Sequence, residues 1–425
     1  MRTYWLIACA IGAASLSGAC TSLAAHRSEQ GGELEVGGGS YRGDQHGGQP
    51  GRDAEIALCT NQKANVTPDT QIESCTRIID SKPDNSLLLA LAHSSRASAW
   101  YDKKDYPRAL TDFDKAIELD PKTGLVHVRR GLAFSAAGDK VAAAADMEKG
   151  LSLEPENDFV RFIRGVYFMS QKQDDRAITE FTEAIQLEPE GSSASVSLRA
   201  RGEVYMRKND YAAALADFDR YVGLEPDDAR GFRSRGDVHM AQKNFEAALK
   251  DFNEAIRLEP KTATNFNRRS FAWRDLGDND KALADIETAA LLDPGAFSYQ
   301  HNRCSLRIQL DRELDIAIGA CTEALRIAPG SHDVLSSRGV GLLKLGRLKE
   351  AKADFDACIG TLLLAQKDED QARDIAFCRF GRAIATIRIE GAKGPNRARV
   401  EEDLAEAERL DLGVGGTFAY YGIEP

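Results

Sequence analysis

The chain is poor in aromatic residues and proline, and it lacks both a long apolar run and a basic cluster. Only 7% of its 425 residues are aromatic and 13 are proline, a composition that favours helices. Its formal net charge is −11, so nucleic-acid binding would need a local basic patch, and the sequence contains none. The longest apolar stretch, residues 4–19, has about 16 residues, fewer than the ~20 that comfortably span a bilayer. Nucleic acid is therefore excluded as an expected partner.

The usual motifs of catalysis and of metal binding are also missing. The sequence has no Gly-Lys-(Ser/Thr) phosphate loop, no Gly-x-Ser-x-Gly elbow and no glycine-rich dinucleotide turn. No Cys-x-x-Cys pair occurs, and the histidines are scattered without metal-ligand spacing. These histidines are His26, His46, His93, His127, His239, His301 and His332. We therefore predict a protein that is not an enzyme, with no catalytic residue, no metal site and no cofactor.

Residues 1–19 have the pattern of a bacterial secretory signal. Arg2 precedes the apolar stretch, and small residues precede Cys20. The phrase Leu16-Ser17-Gly18-Ala19-Cys20 is similar to a lipobox, whose cysteine is acylated, although the leucine lies one place further from the cysteine than usual. Acylation of Cys20, ordinary cleavage near Ala19 and an uncleaved anchor are the alternatives. Cleavage predicts a periplasmic protein, and acylation one attached to the outer membrane.

Residues 20–53 are predicted to be a flexible linker. They are rich in glycine, serine, glutamine and arginine, and they contain almost no large apolar side chains. A segment of this composition cannot bury enough apolar surface to form a core of its own.

A Leu-(Glu/Asp)-Pro phrase recurs along the rest of the chain at almost constant spacing. Its prolines are Pro121, Pro155, Pro189, Pro226, Pro260 and Pro294, and a variant phrase ends at Pro329. The successive steps are 34, 34, 37, 34, 34 and 35 residues. A 34-residue period that ends in proline resembles the tetratricopeptide repeat, which is a pair of antiparallel helices.

Small residues recur where the two helices of such a pair cross. With each proline at repeat position 32, position 20 is alanine in eight repeats, from Ala109 to Ala351, and position 8 is glycine, alanine or serine. Position 24 is mostly large and apolar, as in Phe181 and Phe252. The resemblance covers most of residues 54–412. It implies an all-α, right-handed superhelical solenoid of about ten repeats, with residues 413–425 as a C-terminal capping segment.

Two charged positions recur together. Position 7 is arginine in seven repeats: Arg96, Arg130, Arg164, Arg201, Arg235, Arg269 and Arg338. Position 23 is acidic in the same seven: Asp112, Asp146, Glu180, Asp217, Asp251, Asp285 and Asp354. We predict that each arginine pairs with the acid of its own repeat. Two independent surface preferences are the alternative.

Beyond Cys20, the cysteines form three sequential pairs. They are Cys59 with Cys75, Cys304 with Cys321, and Cys358 with Cys378. The first two pairs lie in repeats that lack both the arginine at position 7 and the acid at position 23. An even number of cysteines behind an export signal predicts disulfides, which would replace the missing ion pairs. Zinc ligation and a redox site are the alternatives.

Several segments resemble exported tetratricopeptide proteins of alphaproteobacteria. They are Asn302-Arg303-Cys304, Ala320-Cys321-Thr322 and residues 417–425. The resemblance implies an envelope location, a scaffolding role, and a concave groove that is lined by the first helix of each repeat. We predict a partner-binding groove with polar side chains at Arg199, Arg207, Arg230, Arg233, Asn267, Arg274 and Asn302. Apolar residues between Phe159 and Met169 could instead hold an apolar helix.

The predicted function is that of a protein–protein interaction scaffold of the bacterial cell envelope, binding its partners in the groove. The alternative is a peptide receptor or chaperone-like assembly factor that grips extended or C-terminal segments through arginine and asparagine side chains. A solvated face of mixed charge is the remaining interpretation of the polar row. Expected partners are proteins or peptides, with a membrane contacted only through a lipid on Cys20.

Overall fold

The computed structural model describes residues 34–36, 39–41, 50–62, 66–364, 369–391 and 394–423. The predicted signal segment and Cys20 lie outside these residues. Within the predicted linker, strands β1 (Leu34–Val36) and β2 (Gly39–Tyr41) form an antiparallel hairpin in which Leu34 faces Tyr41. The last residues of that linker already belong to helix α1, which begins at Pro50.

The chain divides into two compact units, and the first (1–226) is built from five helix pairs. Its helices are α1 (Pro50–Cys59), α2 (Pro68–Asp80), α3 (Ser86–Asp102), α4 (Tyr106–Leu119), α5 (Gly124–Ala137), α6 (Lys140–Leu153), α7 (Asp158–Ser170), α8 (Asp174–Leu187), α9 (Ser192–Arg207) and α10 (Tyr211–Leu224). Each odd-numbered helix packs against the helix that follows it, and first helices of neighbouring pairs also contact each other.

The second unit (227–425) continues with five more pairs and one short helix. Its helices are α11 (Ala229–Ala241), α12 (Phe245–Leu258), α13 (Ala263–Asp275), α14 (Asn279–Leu292), α15 (Phe297–Leu310), α16 (Leu314–Ile327), α17 (His332–Lys344), α18 (Leu348–Leu364), α19 (Glu369–Glu390), α20 (Arg397–Leu410) and α21 (Val414–Tyr420). The described residues therefore contain ten helix pairs, and the all-α prediction of about ten tetratricopeptide-type repeats is confirmed.

The recurring phrase sets where each second helix ends. Helix α4 ends at Leu119, and the next residue, Asp120, leaves the helical conformation with φ −140° and ψ 89°. The residue before a proline is disfavoured in the helical region, and proline itself cannot supply the next backbone donor. The start of α4 is fixed by Asp105, whose side chain accepts a hydrogen bond from the Arg108 backbone N–H.

The core of a pair depends on glycine at position 8 lying against an aromatic ring at position 24. A Cβ placed on Gly236 would lie 2.6 Å from the Phe252 ring, which is fully buried. The same contact joins Gly165 to Phe181. In the two repeats with serine at position 8, position 24 is smaller: Ser270 with Ile286, and Ser305 with Cys321. The two positions therefore share a limited volume.

Gly236→Ser is expected to destabilise the second unit by about 1–3 kcal/mol, because the new side chain must displace the Phe252 ring. Adding Phe252→Ile reproduces the Ser270–Ile286 combination and should recover part of that loss. Thermal unfolding of the wild type, both single variants and the double variant would measure the coupling.

Gly360→Ser is the control for this cycle, because Gly360 lies in helix α18 with open space around its Cβ position. It should be neutral or slightly stabilising, since glycine is itself unfavourable inside a helix. A double variant that loses the full sum of the two single losses would contradict the shared-volume explanation.

Helix α21 covers the apolar surface of the last pair. Phe418 is fully buried, and its ring lies 4.5 Å from that of Phe377 and 5.1 Å from that of Phe380 in α19. Val414 and Ile423 are buried beside it. This packing gives the terminal repeat the neighbour that a solenoid end otherwise lacks.

Candidate functional site

The predicted pairing of position 7 with position 23 is confirmed in all seven repeats. In the second pair of helices, Arg96 Nε and Nη2 each donate to a different oxygen of Asp112 at 2.8 Å. The other pairs are Arg130–Asp146, Arg164–Glu180, Arg201–Asp217, Arg235–Asp251, Arg269–Asp285 and Arg338–Asp354. Each bond crosses from the first helix of a pair to the second, so it holds the pair together.

The arginines have a second acceptor, on the preceding repeat, which the sequence analysis missed. Arg130 Nη1 donates to Asp114 Oδ1 at 2.7 Å, and Arg269 Nη1 donates to Asn253 Oδ1 at 2.8 Å. Equivalent contacts are Arg96 to Thr76, Arg164 to Glu148, Arg201 to Thr182 and Arg338 to Thr322. One guanidinium therefore joins three helices of two successive repeats, which is suited to its fork of five donors.

Histidines share the position-23 acid in two repeats. His93 Nδ1 lies 2.8 Å from Asp112 Oδ1, and His127 Nδ1 lies 3.3 Å from Asp146 Oδ1. Burial acts to raise the pKa of Asp112, but hydrogen bonds from Arg96 and His93 outweigh it, so the pKa falls below the usual value of 3.8. These carboxylates are therefore charged at neutral pH and belong to the structural framework.

The structure joins all three cysteine pairs as disulfides. The Cα atoms are 4.7 Å apart in Cys59–Cys75, 5.1 Å in Cys304–Cys321 and 6.3 Å in Cys358–Cys378. Disulfides of this kind indicate an oxidising compartment. None of the helices that the structure describes is both long enough and apolar enough to span a membrane.

In the first unit, the predicted groove arginines contact acids of their own unit. Arg199 Nη1 donates to Glu203 Oε1 of the same helix at 2.6 Å. Arg207 in α9 donates to Asp174 in α8, with its Nε 3.1 Å from Asp174 Oδ2. Both guanidinium groups therefore have an acid beside them that already balances their charge.

The groove arginines of the second unit are paired in the same way. Arg230 contacts Asp228 at 2.7 Å, and Arg274 contacts Asp275 at 2.9 Å. Arg233 Nη1 in α11 donates to Glu259 Oε2 at 2.7 Å and also reaches Asn265 Oδ1 at 3.0 Å. Arg233 thus carries a charge that is already neutralised, and its position is fixed against α13.

A second charged contact joins α11 to α13. Arg268 Nε lies 2.8 and 2.9 Å from the two oxygens of Asp237. Burial raises the pKa of Asp237, while the charges of Arg268 and Arg233 act to lower it. The side chain nevertheless remains 35% exposed. Asp237 therefore lies in a recess of the surface that water can reach. Its charge is balanced by Arg268 and Arg233.

Two of the predicted residues, Asn302 and Arg274, line a cleft between α13 and α15, and a third, Asn267, is buried (6% exposed) in contact with Asn302. Asn302 Nδ2 donates to Asn267 Oδ1 at 2.8 Å, linking position 5 of two successive repeats. Asn302 and Arg274 line the cleft, with Ser270, Phe271, Ser305 and Gln309. Gln309 also donates to the hydroxyl of Tyr420 at 2.8 Å, so helix α21 contacts one edge of this surface. We call it the asparagine cleft.

The first unit presents a different surface on its first helices. Leu125, Val166, Met169 and Val196 are partly exposed and pack against a buried cluster that includes Phe162. This surface is apolar where the corresponding helices of the second unit are polar. The two units therefore offer different chemistry on their first helices.

Comparison with known proteins agrees with the repeat pattern. Two family models described as tetratricopeptide repeat match residues 90–123 and 199–263. Together with the ten helix pairs, these matches show that the chain contains tetratricopeptide repeats. Arrays of such repeats generally bind other proteins or peptides on an extended surface. No curated protein matches the chain.

Several solved structures are similar to part of this chain, with TM-scores below 0.5. A tetratricopeptide repeat protein from Parabacteroides merdae is 17% identical, covering 60% of this chain and 98% of its own, with a TM-score of 0.45. Pseudomonas aeruginosa pilF is 20% identical, covering 50% and 95%, with a TM-score of 0.43. YrrB, described as having an unusual peptide-binding site, is 19% identical, covering 43% and 91%, with a TM-score of 0.36.

Proposed function

We propose that this chain is a protein-interaction scaffold of the bacterial cell envelope that binds partner proteins at the asparagine cleft. The observation that carries the proposal is the hydrogen bond between Asn267 and Asn302 on successive first helices. The polar side chains around it, Ser270, Ser305 and Gln309, are neutral. The nearby Arg274 is already paired with Asp275.

The chemistry of the cleft suits an extended peptide. The asparagine pair uses the donor of Asn302 and the acceptor of Asn267. Asn302 lines the cleft and keeps its amide oxygen as an acceptor for a peptide N–H, while the buried Asn267 (6% exposed) holds the Asn302 amide in place. Phe271 and the stem of Arg274 supply apolar area beside these groups. We therefore infer that backbone hydrogen bonds contribute more to binding than charge does.

The envelope location is supported by the three disulfides and by the secretory pattern of residues 1–19. Disulfides form and persist where proteins are exported, and they are rare in reducing cytosol. Acylation of Cys20 would add attachment to a membrane without a spanning helix.

Photocrosslinking in cells tests the cleft directly. A photoreactive amino acid at Gln309 should form a discrete crosslink with one partner, because this exposed position lines the cleft. The same amino acid at Leu291, which is 79% exposed on the second helix α14, is the control. Loss of the Gln309 crosslink on Asn267→Ala with Asn302→Ala is expected. Equal crosslinking from both positions would contradict the proposal.

A peptide receptor for acidic or C-terminal segments is the second candidate, favoured by the position of Arg233 beside Asn265. Under this alternative, Arg233→Ala should abolish capture, since a terminal carboxylate would have to replace Glu259 as its partner. Under the asparagine-cleft proposal, Arg233→Ala weakens capture less than the asparagine double variant does. The same crosslinking assay separates the two.

A further inference from the structure

Folding brings together three metal-ligand side chains that lie far apart in sequence. His332 and Asp333 occupy the first turn of α17, and Asp374 lies on α19. One ligand atom from each lies within 4.8 Å of the other two. His332 Nε2 is 3.7 Å from Asp333 Oδ1 and 3.5 Å from Asp374 Oδ2. The sequence spacing of the histidines gave no sign of this group.

We propose that His332, Asp333 and Asp374 form a binding site for a divalent transition-metal ion of the zinc type. The two nitrogen–oxygen distances exceed the ~2.7–3.2 Å of an N–H···O hydrogen bond. The edge of a tetrahedral site is about 3.3–3.6 Å for metal–ligand bonds of about 2.0–2.2 Å. The 3.5 Å distance to Asp374 falls in this range, and the 3.7 Å distance to Asp333 lies just above it. An imidazole with two carboxylates is a donor set that zinc accepts, with a fourth position open to water or to a ligand.

Charge supports a cation at this point. Two carboxylates converge on one imidazole, so at neutral pH the group carries more negative than positive charge. The three ligand side chains are 35%, 50% and 36% exposed, so an ion can reach them from solvent.

The helices that carry the ligands are held in place. Asp374 lies one helical turn before Cys378, whose disulfide to Cys358 ties α19 to α18. Helix α18 in turn packs against α17, and α17 also contacts α19 directly. Ligands on such cross-linked helices need little rearrangement to bind an ion, which favours a defined site over loose surface association. A bound ion would join two successive repeats.

Equilibrium dialysis of the oxidised full chain against ZnCl2, with the bound metal quantified by mass spectrometry, tests the site. His332→Gln and Asp374→Asn should each weaken the binding of one zinc equivalent by roughly 100-fold, since even an outer-shell partner costs about 10–100-fold. His239→Gln is the matched control, because His239 Nε2 lies 3.8 Å from a single carboxylate, that of Asp251. It should leave zinc binding unchanged.

Cobalt(II) gives a second readout. The wild type should show the intense visible absorption of a four-coordinate cobalt ion, and both ligand variants should lose it. Both substitutions lie at exposed positions, and circular dichroism will verify that the variants are folded. Wild-type protein that binds no zinc would overturn the proposal. So would zinc binding that both ligand variants retain, or that the His239 variant loses equally. None of these outcomes depends on the asparagine cleft.

Discussion

Reduction of the Cys304–Cys321 disulfide is expected to destabilise the α15–α16 pair by about 3 kcal/mol, given the sequence separation of 17 residues. This repeat lacks the arginine–acid pair that joins the two helices in seven other repeats. Where other repeats carry the acid that pairs with arginine, it has Ala320. Arg303 and Arg307 still contact Glu287 of the preceding repeat, so the link between repeats survives. Within the pair, the contact of Arg307 with Glu313 at the start of α16 remains at 3.0 Å, but the cross-link at positions 7 and 24 is lost.

Hydrogen exchange followed by mass spectrometry will measure this effect locally, which suits a repeat array whose segments unfold separately. Peptides from residues 297–327 should exchange much faster after reduction. Residues 263–292 form the internal control, because this pair is held by Arg269–Asp285 and contains no cysteine. Equal acceleration of both regions would show that the disulfide has no local role.

A variant that restores the ion pair gives the stricter test. Cys304→Arg, Ala320→Asp and Cys321→Ile reproduce positions 7, 23 and 24 of the preceding repeat, which has Arg269, Asp285 and Ile286. Position 8 needs no change, because it is serine in both repeats, Ser270 and Ser305. This variant should resist reduction and exchange more slowly than Cys304→Ser with Cys321→Ser. If the two variants exchange alike, the disulfide is not a substitute for the ion pair.

The sequence predicted most of the fold because the repeat makes each structural requirement visible many times. A helix end before proline, a small residue at a crossing and an arginine opposite an acid recur at fixed spacing, so chance agreement is small. Two of the three disulfides were predictable for the same reason, since Cys59–Cys75 and Cys304–Cys321 lie in repeats where the periodic arginine and acid are missing. Local and periodic features are those that a single sequence can reveal.

The candidate sites were less predictable, because they depend on contacts between non-equivalent residues. The second acceptor of the position-7 arginines did leave a signal in the sequence, because position 25 of the preceding repeat carries an oxygen-bearing side chain. Its chemical variety, from Thr76 to Asp114 and Asn253, hid it. Arg207 is neutralised by Asp174 on the neighbouring helix α8, and Arg233 by Glu259, the acid of the recurring phrase that ends at Pro260; the sequence pattern did not show either contact. His332 and Asp374 meet only because α17 and α19 are adjacent.

The last repeat keeps an equivalent arginine–acid connection although its spacing departs from the 34-residue period. With Gly381 at position 8, its arginine is Arg382, two places later than the arginine at position 7 of other repeats. Arg382 Nε donates to Asp403 Oδ2 at 2.7 Å, and its Nη1 donates to Asp356 Oδ1 of the preceding repeat at 2.9 Å. Arg382 therefore makes the same two contacts as the position-7 arginines, one to an acid of its own repeat and one to an acid of the preceding repeat. It is also more buried than most, since Arg382 is 7% exposed and Asp403 is 2% exposed.

Arg382→Met is accordingly expected to cost about 3 kcal/mol, because it leaves the buried carboxylate of Asp403 without its main partner. The estimate is at the low end for a broken buried pair, since Arg379 still contacts Asp403 at 3.0 Å. Hydrogen exchange of residues 372–410 and the thermal midpoint will measure the loss. Arg409→Met, which removes an exposed pair with Glu406 in α20, should change stability by less than about 1 kcal/mol.

A second substitution separates the cost of an unpaired charge from the loss of packing. Arg382→Met combined with Asp403→Leu removes both buried charges and should be more stable than Arg382→Met alone, because no carboxylate is left without a partner inside the protein. Asp356 keeps Lys352 as a partner at 2.9 Å in either background. If the double variant is the less stable one, Arg382 stabilises the last repeat mainly by packing and by its contact with Asp356. Charge pairing would then not be the reason that arginine recurs along the chain.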